Sequence, residues 1–365
     1  MNDFICRVLS IQHRKNISFL FVSGFPYSKQ LMVDNRLIAD CPIGVMSVIK
    51  GQYGQSVNNK GEVIYQITKI DSIVFSNHNK AFHKNFTNKA LLLRLCKNDI
   101  LNQVKQYLES NSFQAIYSPF TIPYRGTSIA SPLKISGKYV NKYCKITHEF
   151  FLKKEMAENL IPVYEIGYVA RDVYSTISGW YEYSILEFVS PIHNMDFVEE
   201  FIRKFIDIAV NSAKKIGVNY NEFTEMETVI LDDDGLCDGK RLEQLKSGKK
   251  NVMFINCPVS SPLVKKINGR RTETIWFYNG ESMAHGYWDE NDFDSLFAFS
   301  KTQMDLLNEK GIDAEYSKDF LSLLNLGIPE SVSIGFGLDR FFQIFFGFAN
   351  MKEYRDSMCH SGEYL

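Results

Sequence analysis

At 365 residues the chain can bury two hydrophobic cores, one small and one large, and 45% hydrophobic residues with 28 Phe and 19 Tyr exclude a disordered class. Lys and Arg total 41 against 42 Asp and Glu, a formal charge of −1, so a nucleic-acid partner has to bind through a local patch and not through the field of the whole molecule. The seven cysteines form no CxxC pair or zinc-type cluster, and neither a leader peptide nor a membrane-length apolar run is found; the expectation is a cytoplasmic protein with reduced thiols and no membrane partner.

Residues 4–75 read as five short strands: FICRVLSI, ISFLFVSGF, KQLMVD, IGVMSVIKGQY and EVIYQITKIDSIVF, separated by turn signals such as NNKG. Five strands in so short a stretch suit a small closed barrel, because closure removes exposed edges; a small sandwich or dimerisation module is the other reading. The polar, basic SNHNKAFHKNFTNK marks a linker. These features divide the chain into a barrel domain at 1–76, a linker at 77–89 and a large α+β domain at 90–365.

After the linker, Leu95, Ile100, Leu101, Val104 and Leu108 supply one apolar helix face, with Asn98 or Asp99 as a cap. FQAIYSP predicts a strand stopped by Pro119, and THEFFLKKEMAENL a helix capped by Thr147. LIPVYEIGYVARD and WYEYSILEFVSPI follow as two strands, and DFVEEFIRKFIDIAVNSAKKIG as a long amphipathic helix between Asp196 and Gly217. DDDGLCDGK lacks the full calcium-loop ligand pattern and reads as a solvated acidic loop. Beyond it come strands VMFINC and TIWFY, the segment GESMAHGYWDENDF, helices around SLFAFSKTQMDLLNEKG and KDFLSLLNLG, and finally SVSIGFGLDRFFQIFFG.

The last string holds Arg340 on a rigid apolar base behind glycines that admit close backbone approach, so its guanidinium could grip a triphosphate; a surface pair with Asp339 is the alternative. Arg171 ends the VYEIGYVARD strand. In the strand that follows, alternation puts Glu182, Ser184 and Leu186 on one face and Tyr183, Ile185 and Glu187 on the other, and periodicity does not choose between them. Nucleotidyl transfer also needs cations, usually Mg2+, and Glu273, Glu281, Asp289 and Glu290 are candidate ligands or solvated turn carboxylates.

Three of these segments occur in the order of the class II aminoacyl-tRNA synthetases of the lysyl, aspartyl and asparaginyl subgroup. FQAIYSP resembles their first motif, with Pro119 at the subunit interface; VYEIGYVARD through YEYSILEF resembles the second, and GFGLDRF the third. The resemblance is strongest over about residues 90–357. It implies an antiparallel catalytic sheet flanked by helices, an OB-fold barrel ahead of it, a homodimer, and ATP as substrate with Mg2+. Arg171 would contact the α-phosphate and the substrate carboxylate and Arg340 the γ-phosphate, while Glu182 and Tyr183 would bind and cover adenine. THEFFLKKEM resembles the subgroup's PELYLKRL, making Glu149 the partner of the substrate amino group, and Glu187 would line the amino-acid pocket. On the barrel, Phe19, Phe21 and Gln30 match base-contacting positions.

Three positions depart from the family pattern. Val173 stands where an acidic residue is usual, GWYEY lacks the customary arginine or histidine, and Ser282 occupies the place of a metal-binding glutamate, with Glu281 one residue earlier. The implied activity is conversion of an amino acid and ATP to an aminoacyl adenylate, followed by transfer to tRNA or another acceptor in a divergent paralogue. An amide ligase resembling asparagine synthetase and a non-catalytic RNA-binding paralogue are the alternatives.

Overall fold

The computed structural model describes residues 2–25, 30–40, 48–57, 63–74, 88–122, 132–139, 141–173, 179–232, 235, 239–261, 263–309, 323 and 325–358. By its internal contacts the chain divides into two compact units, residues 1–96 with 356–365 and residues 97–355.

In the first unit, β1 (Asn2–His13), β2 (Ile17–Phe25), β3 (Gln30–Asp34), β4 (Val48–Val57) and β5 (Val63–Val74) close into a barrel in the order β1-β2-β3-β5-β4, with the short α1 (Asn35–Asp40) after β3. Period-2 alternation drives the closure: Phe4, Cys6, Val8, Leu20, Val22, Leu31, Val33, Ile49, Tyr53 and Ile67 form its buried core. Gly51 lets β4 and β5 pack closely, since a Cβ there would lie 2.0 Å from the Lys69 carbonyl oxygen. Phe19 and Phe21 alternate with the buried Leu20 and Val22 and so stay half-buried on the outer surface, and Phe21 pairs across the ladder with the exposed Gln30.

The second unit is a mixed α+β fold. α2 (Asn88–Ser110), whose residues from 97 onward belong to this unit, begins ten residues before Asn98 and eleven before Asp99, the caps expected for it. Asp99 therefore lies inside the helix, where it accepts from Lys215 at 3.0 Å and Gln103 at 2.8 Å. The FQAIYSP segment pairs only briefly, as β6 (Gln114–Ala115). Its end is fastened by Lys145, which donates to Ser118 Oγ at 2.7 Å and Glu165 at 2.6 Å. β7 (Thr121–Ile122), β8 (Lys134–Ser136) and β9 (Asn141–Cys144) make a small three-stranded sheet, followed by α3 (Glu149–Asn159).

The main sheet is built from β6, β10 (Val163–Ala170), β11 (Glu182–Ser190), β12 (Glu227–Ile230), β13 (Asn251–Pro258), β14 (Lys266–Ile267), β15 (Arg270–Tyr278), β16 (Glu281–Trp288) and β17 (Val332–Gly337). Its order is β12-β13-β15-β16-β17-β11-β10-β6, with β14 on β15; every pairing is antiparallel except those of β12 with β13 and β10 with β6. The helices α4 (Met195–Ile216), α5 (Gly239–Lys246), α6 (Phe293–Glu309), α7 (Leu338–Phe345) and α8 (Met351–Met358), the last belonging to it as far as Arg355, complete the unit.

α4 is capped by Asn194, whose side chain accepts from the Phe197 N–H, two residues before the expected Asp196; it ends at Gly217, where φ is 76°. Its buried stripe sets Phe205 against Phe336 and Phe341, with ring centroids at 4.2 and 4.9 Å. Each such buried ring contributes roughly 1.5–3 kcal/mol, enough to clamp β17 and α7 on one side of the sheet. Gly286 allows the close approach of α4, because a Cβ would fall 2.4 Å from Val198 Cγ1.

Cys257 is disulfide-bonded, against the expectation of reduced thiols, while Cys6 and Cys144 are free. The acidic 232–240 run and the KDFLSLLNLG segment lie largely outside the described residues. Among the described residues no helix is long and apolar enough to cross a membrane.

Candidate active site

β10 and β11 form an antiparallel hairpin in which Val169 pairs with Tyr183 and Glu165 with Glu187. β11 lies against β17, with Glu187 opposite Gly335. Because Gly335 has no side chain, space opens over the sheet beside Glu187. A cavity of about 550 Å³ occupies it, walled by Thr147, Glu149, Arg171, Tyr183, Glu187, Ser282, His285, Tyr287 and Arg340 among others. That volume lies within the range of small-molecule sites.

The two arginines that are 169 positions apart in the chain thus stand on one cavity wall. Each is held by a backbone carbonyl. Arg171 donates to the Ile146 oxygen at 3.1 and 3.2 Å and lies over the Tyr183 ring at 5.5 Å; Arg340 donates to the Ser282 oxygen at 2.9 Å. One guanidinium rises from the end of β10 and the other from the first turn of α7, so an anion between them would meet fixed cations.

The same lining is also acidic. Glu187 accepts from the Thr147 hydroxyl at 2.7 Å and from the His148 backbone N–H. Burial pushes its carboxyl up to about 7, with Glu149 adding to the rise and the Thr147 bond, the His148 N–H and Arg171 opposing it. Glu149 accepts from Lys153 at 2.6 Å and from the Tyr287 hydroxyl at 3.3 Å. Lys153 is itself buried and also pairs with Asp289 at 2.9 Å. Burial opposes its charge, but the two carboxylates outweigh that and raise its pKa.

Tyr183, Ile185 and Glu187 are therefore the β11 face that meets the cavity. Glu182 is on the opposite face and outside the lining, where Arg355 donates to its backbone oxygen at 2.8 Å and its carboxylate at 3.2 Å. Its neighbour Ser184 is drawn the same way, donating to buried Asp339 at 2.6 Å. That bond makes Asp339 an internal anchor, not the surface partner of Arg340.

The candidate metal ligands do not converge on the cavity. Glu281 is outside the lining, Asp289 is held by Lys153, Ser331 and Ser333, and Glu290 is paired with Arg271 at 2.8 Å. Glu273 is outside the lining and faces the site through His285, with 3.4 Å between its Oε2 and Nδ1, and through Tyr287, its cross-strand neighbour. Burial lowers the His285 pKa, but the charge and hydrogen bond of Glu273 prevail and the net shift is upward. Among the described residues no three His, Cys, Asp or Glu side chains form a metal-binding group. The residues present do not fit a protein-chelated ion, since Mg2+ favours near-octahedral oxygen donors.

Lys153, His285 and Tyr287 were not singled out from the sequence. The i,i+4 spacing of Glu149 and Lys153 on a helix was a usable signal, and so was the alternation that puts Met283, His285 and Tyr287 on one strand face.

Residues 78–355 match the family model described as tRNA synthetases class II (D, K and N). The chain is similar to proteins named lysine–tRNA ligase: it is 22% identical over 307 residues to that of Saccharolobus solfataricus, covering 70% of this chain and 62% of the relative. It is 22% identical over 321 residues to that of Buchnera aphidicola, at 74% and 63% coverage, and 21% over 337 residues to that of Psychromonas ingrahamii, at 78% and 64%. The chain thus spans a little over three fifths of the length of these curated relatives.

Proposed function

The chain belongs to the class II tRNA synthetases of the D, K and N group, and on that premise we propose that it is an ATP-dependent ligase activating a cationic amino acid as its adenylate. The observation that carries the reading is one cavity whose lining holds two anchored guanidinium groups together with the carboxylates Glu149 and Glu187. The substrate carboxylate attacks the α-phosphorus, a P–O bond forms to it, and the bond to the bridging oxygen breaks with release of pyrophosphate. No protein nucleophile is needed, since positioning and charge stabilisation supply the rate. Arg171 neutralises the α-phosphate and orients the carboxylate, Arg340 holds the departing phosphates, and Tyr183 covers the base. Magnesium enters as the counterion of ATP.

Charge supports the amino-acid class. Glu149, Glu187 and Asp289 are three carboxylates, of which Glu149 and Asp289 share the ammonium of Lys153 while Glu187 feels Arg171, the cation already assigned to the α-phosphate. A substrate with two ammonium groups makes up the difference, as lysine does, and the relatives are named lysine–tRNA ligase. The acceptor is proposed to be tRNA, bound in part by the N-terminal barrel read as an OB-fold over residues 1–76, with Phe19, Phe21 and Gln30 facing bases. Residues 77–89 link it to the catalytic domain at 90–365, which works as a cytoplasmic homodimer.

Pyrophosphate exchange across amino acids tests the proposal. Lysine is expected to support exchange and norleucine, which lacks the second ammonium group, to fall by about 10⁴-fold, the discrimination a buried polar site achieves. Absence of exchange with every amino acid refutes it, and exchange without transfer to tRNA redirects the acceptor to a small amine.

A further inference from the structure

We propose that this chain meets the phosphates of its nucleotide with the His285 ring, beside Arg340, where a carboxylate-held magnesium ion would otherwise stand, so that divalent metal reaches the site only as a passenger on ATP. The inference rests on the adenylating reading above and deepens it.

His285 lies in the middle of the sheet. Its backbone pairs with Ile275 on one side and Gly335 on the other, so neither strand edge is open. Its side chain is nonetheless 44% exposed and lines the cavity, so that exposed surface is cavity surface. Glu273, only 13% exposed, faces the ring at Nδ1 and fixes its orientation, leaving the rest of the imidazole to the cavity. Glu273 is thus turned to the imidazole and is not itself part of the cavity lining.

The other oxygen donors near the site are similarly engaged. Ser282, at the place expected for a glutamate, accepts from Arg340 through both its backbone oxygen and its hydroxyl, at 2.9 and 3.3 Å. Glu149 serves Lys153 and Tyr287, and Glu187 serves Thr147 and the His148 N–H. Mg2+ gives up its waters reluctantly and needs one or two available carboxylates in addition to phosphate oxygens. What this wall offers a phosphate is a set of N–H donors: the Arg340 fork and the His285 ring.

Calorimetry of the full chain with α,β-methylene ATP, in excess chelator and in excess magnesium, tests the assignment. Binding in chelator is expected to stay within about fivefold of that in magnesium. His285→Ala is expected to weaken binding in chelator by about tenfold, the worth of one charge-assisted hydrogen bond, and His285→Asn, which keeps one donor, to recover part of the loss. Glu273→Gln, which frees the ring without emptying its place, shifts affinity in the same direction and serves if the alanine variant does not fold. A more than hundredfold requirement for magnesium, or an unchanged affinity in chelator for the folded His285 and Glu273 variants, overturns the proposal. Binding in neither condition refutes the ATP reading itself, and so separates the two failures.

Discussion

Replacing Glu187 by glutamine exposes the cost of holding an acid ready for a cationic ligand. In the folded chain the carboxyl titrates at about 7, against 4.5 for an unperturbed glutamate, chiefly because burial disfavours the anion. A raised acid pKa means that the folded state takes up the proton before the unfolded state does. The associated stability is fully present below pH 4.5 and is lost as pH rises through about 7. That displacement corresponds to about 3 kcal/mol. A glutamine side chain would mimic the protonated form at every pH. Urea unfolding of ligand-free protein should therefore show parent and Glu187→Gln of similar stability near pH 4.5, with the variant more stable by up to about 3 kcal/mol at pH 8. The same substitution should abolish amino-acid-dependent pyrophosphate exchange. A stability difference that does not change across this pH range would refute the reasoning, because it would mean that burial does not hold the Glu187 carboxyl against ionisation.

Arg340→Ala should lower kcat/KM for pyrophosphate exchange by about 10²- to 10³-fold, as loss of one preorganised charge donor does, while leaving the melting temperature close to the parent's. Lys153→Met leaves buried Asp289 and half-buried Glu149 without their cation, and urea titration at pH 7 should register a loss of about 3–5 kcal/mol. Gly286→Ala drives a methyl group against Val198 and should cost about 1–3 kcal/mol, read as a lower thermal midpoint with unchanged amino-acid preference among surviving molecules.

Much of this architecture was legible because its signals are local. Turn signals separated the barrel strands, although the unbroken apolar run at 19–22 did not say which side chains face inward, and Gly217 ends α4 in a left-handed turn. The cap of α2 was misplaced because Asn98 and Asp99 look like N-terminal signals, yet the helical pattern continues upstream to Asn88. Alternation in β11 defined two faces without saying which one met the cavity. The pull of Asp339 on Ser184 and of Arg355 on Glu182 settles that question, and both partners come from more than 150 residues away. Long-range pairing also hid the metal question: carboxylates close together in sequence are dispersed by Lys153, Arg271 and His285 onto separate partners.

The carbonyl tethers on Arg171 and Arg340 have a kinetic corollary. Side chains already roped to Ile146 and Ser282 have little searching left to do when a polyphosphate arrives. Nucleotide capture by such a receptor should proceed in a single fast step, with differences between nucleotides expressed in how long each stays rather than in how quickly it lands.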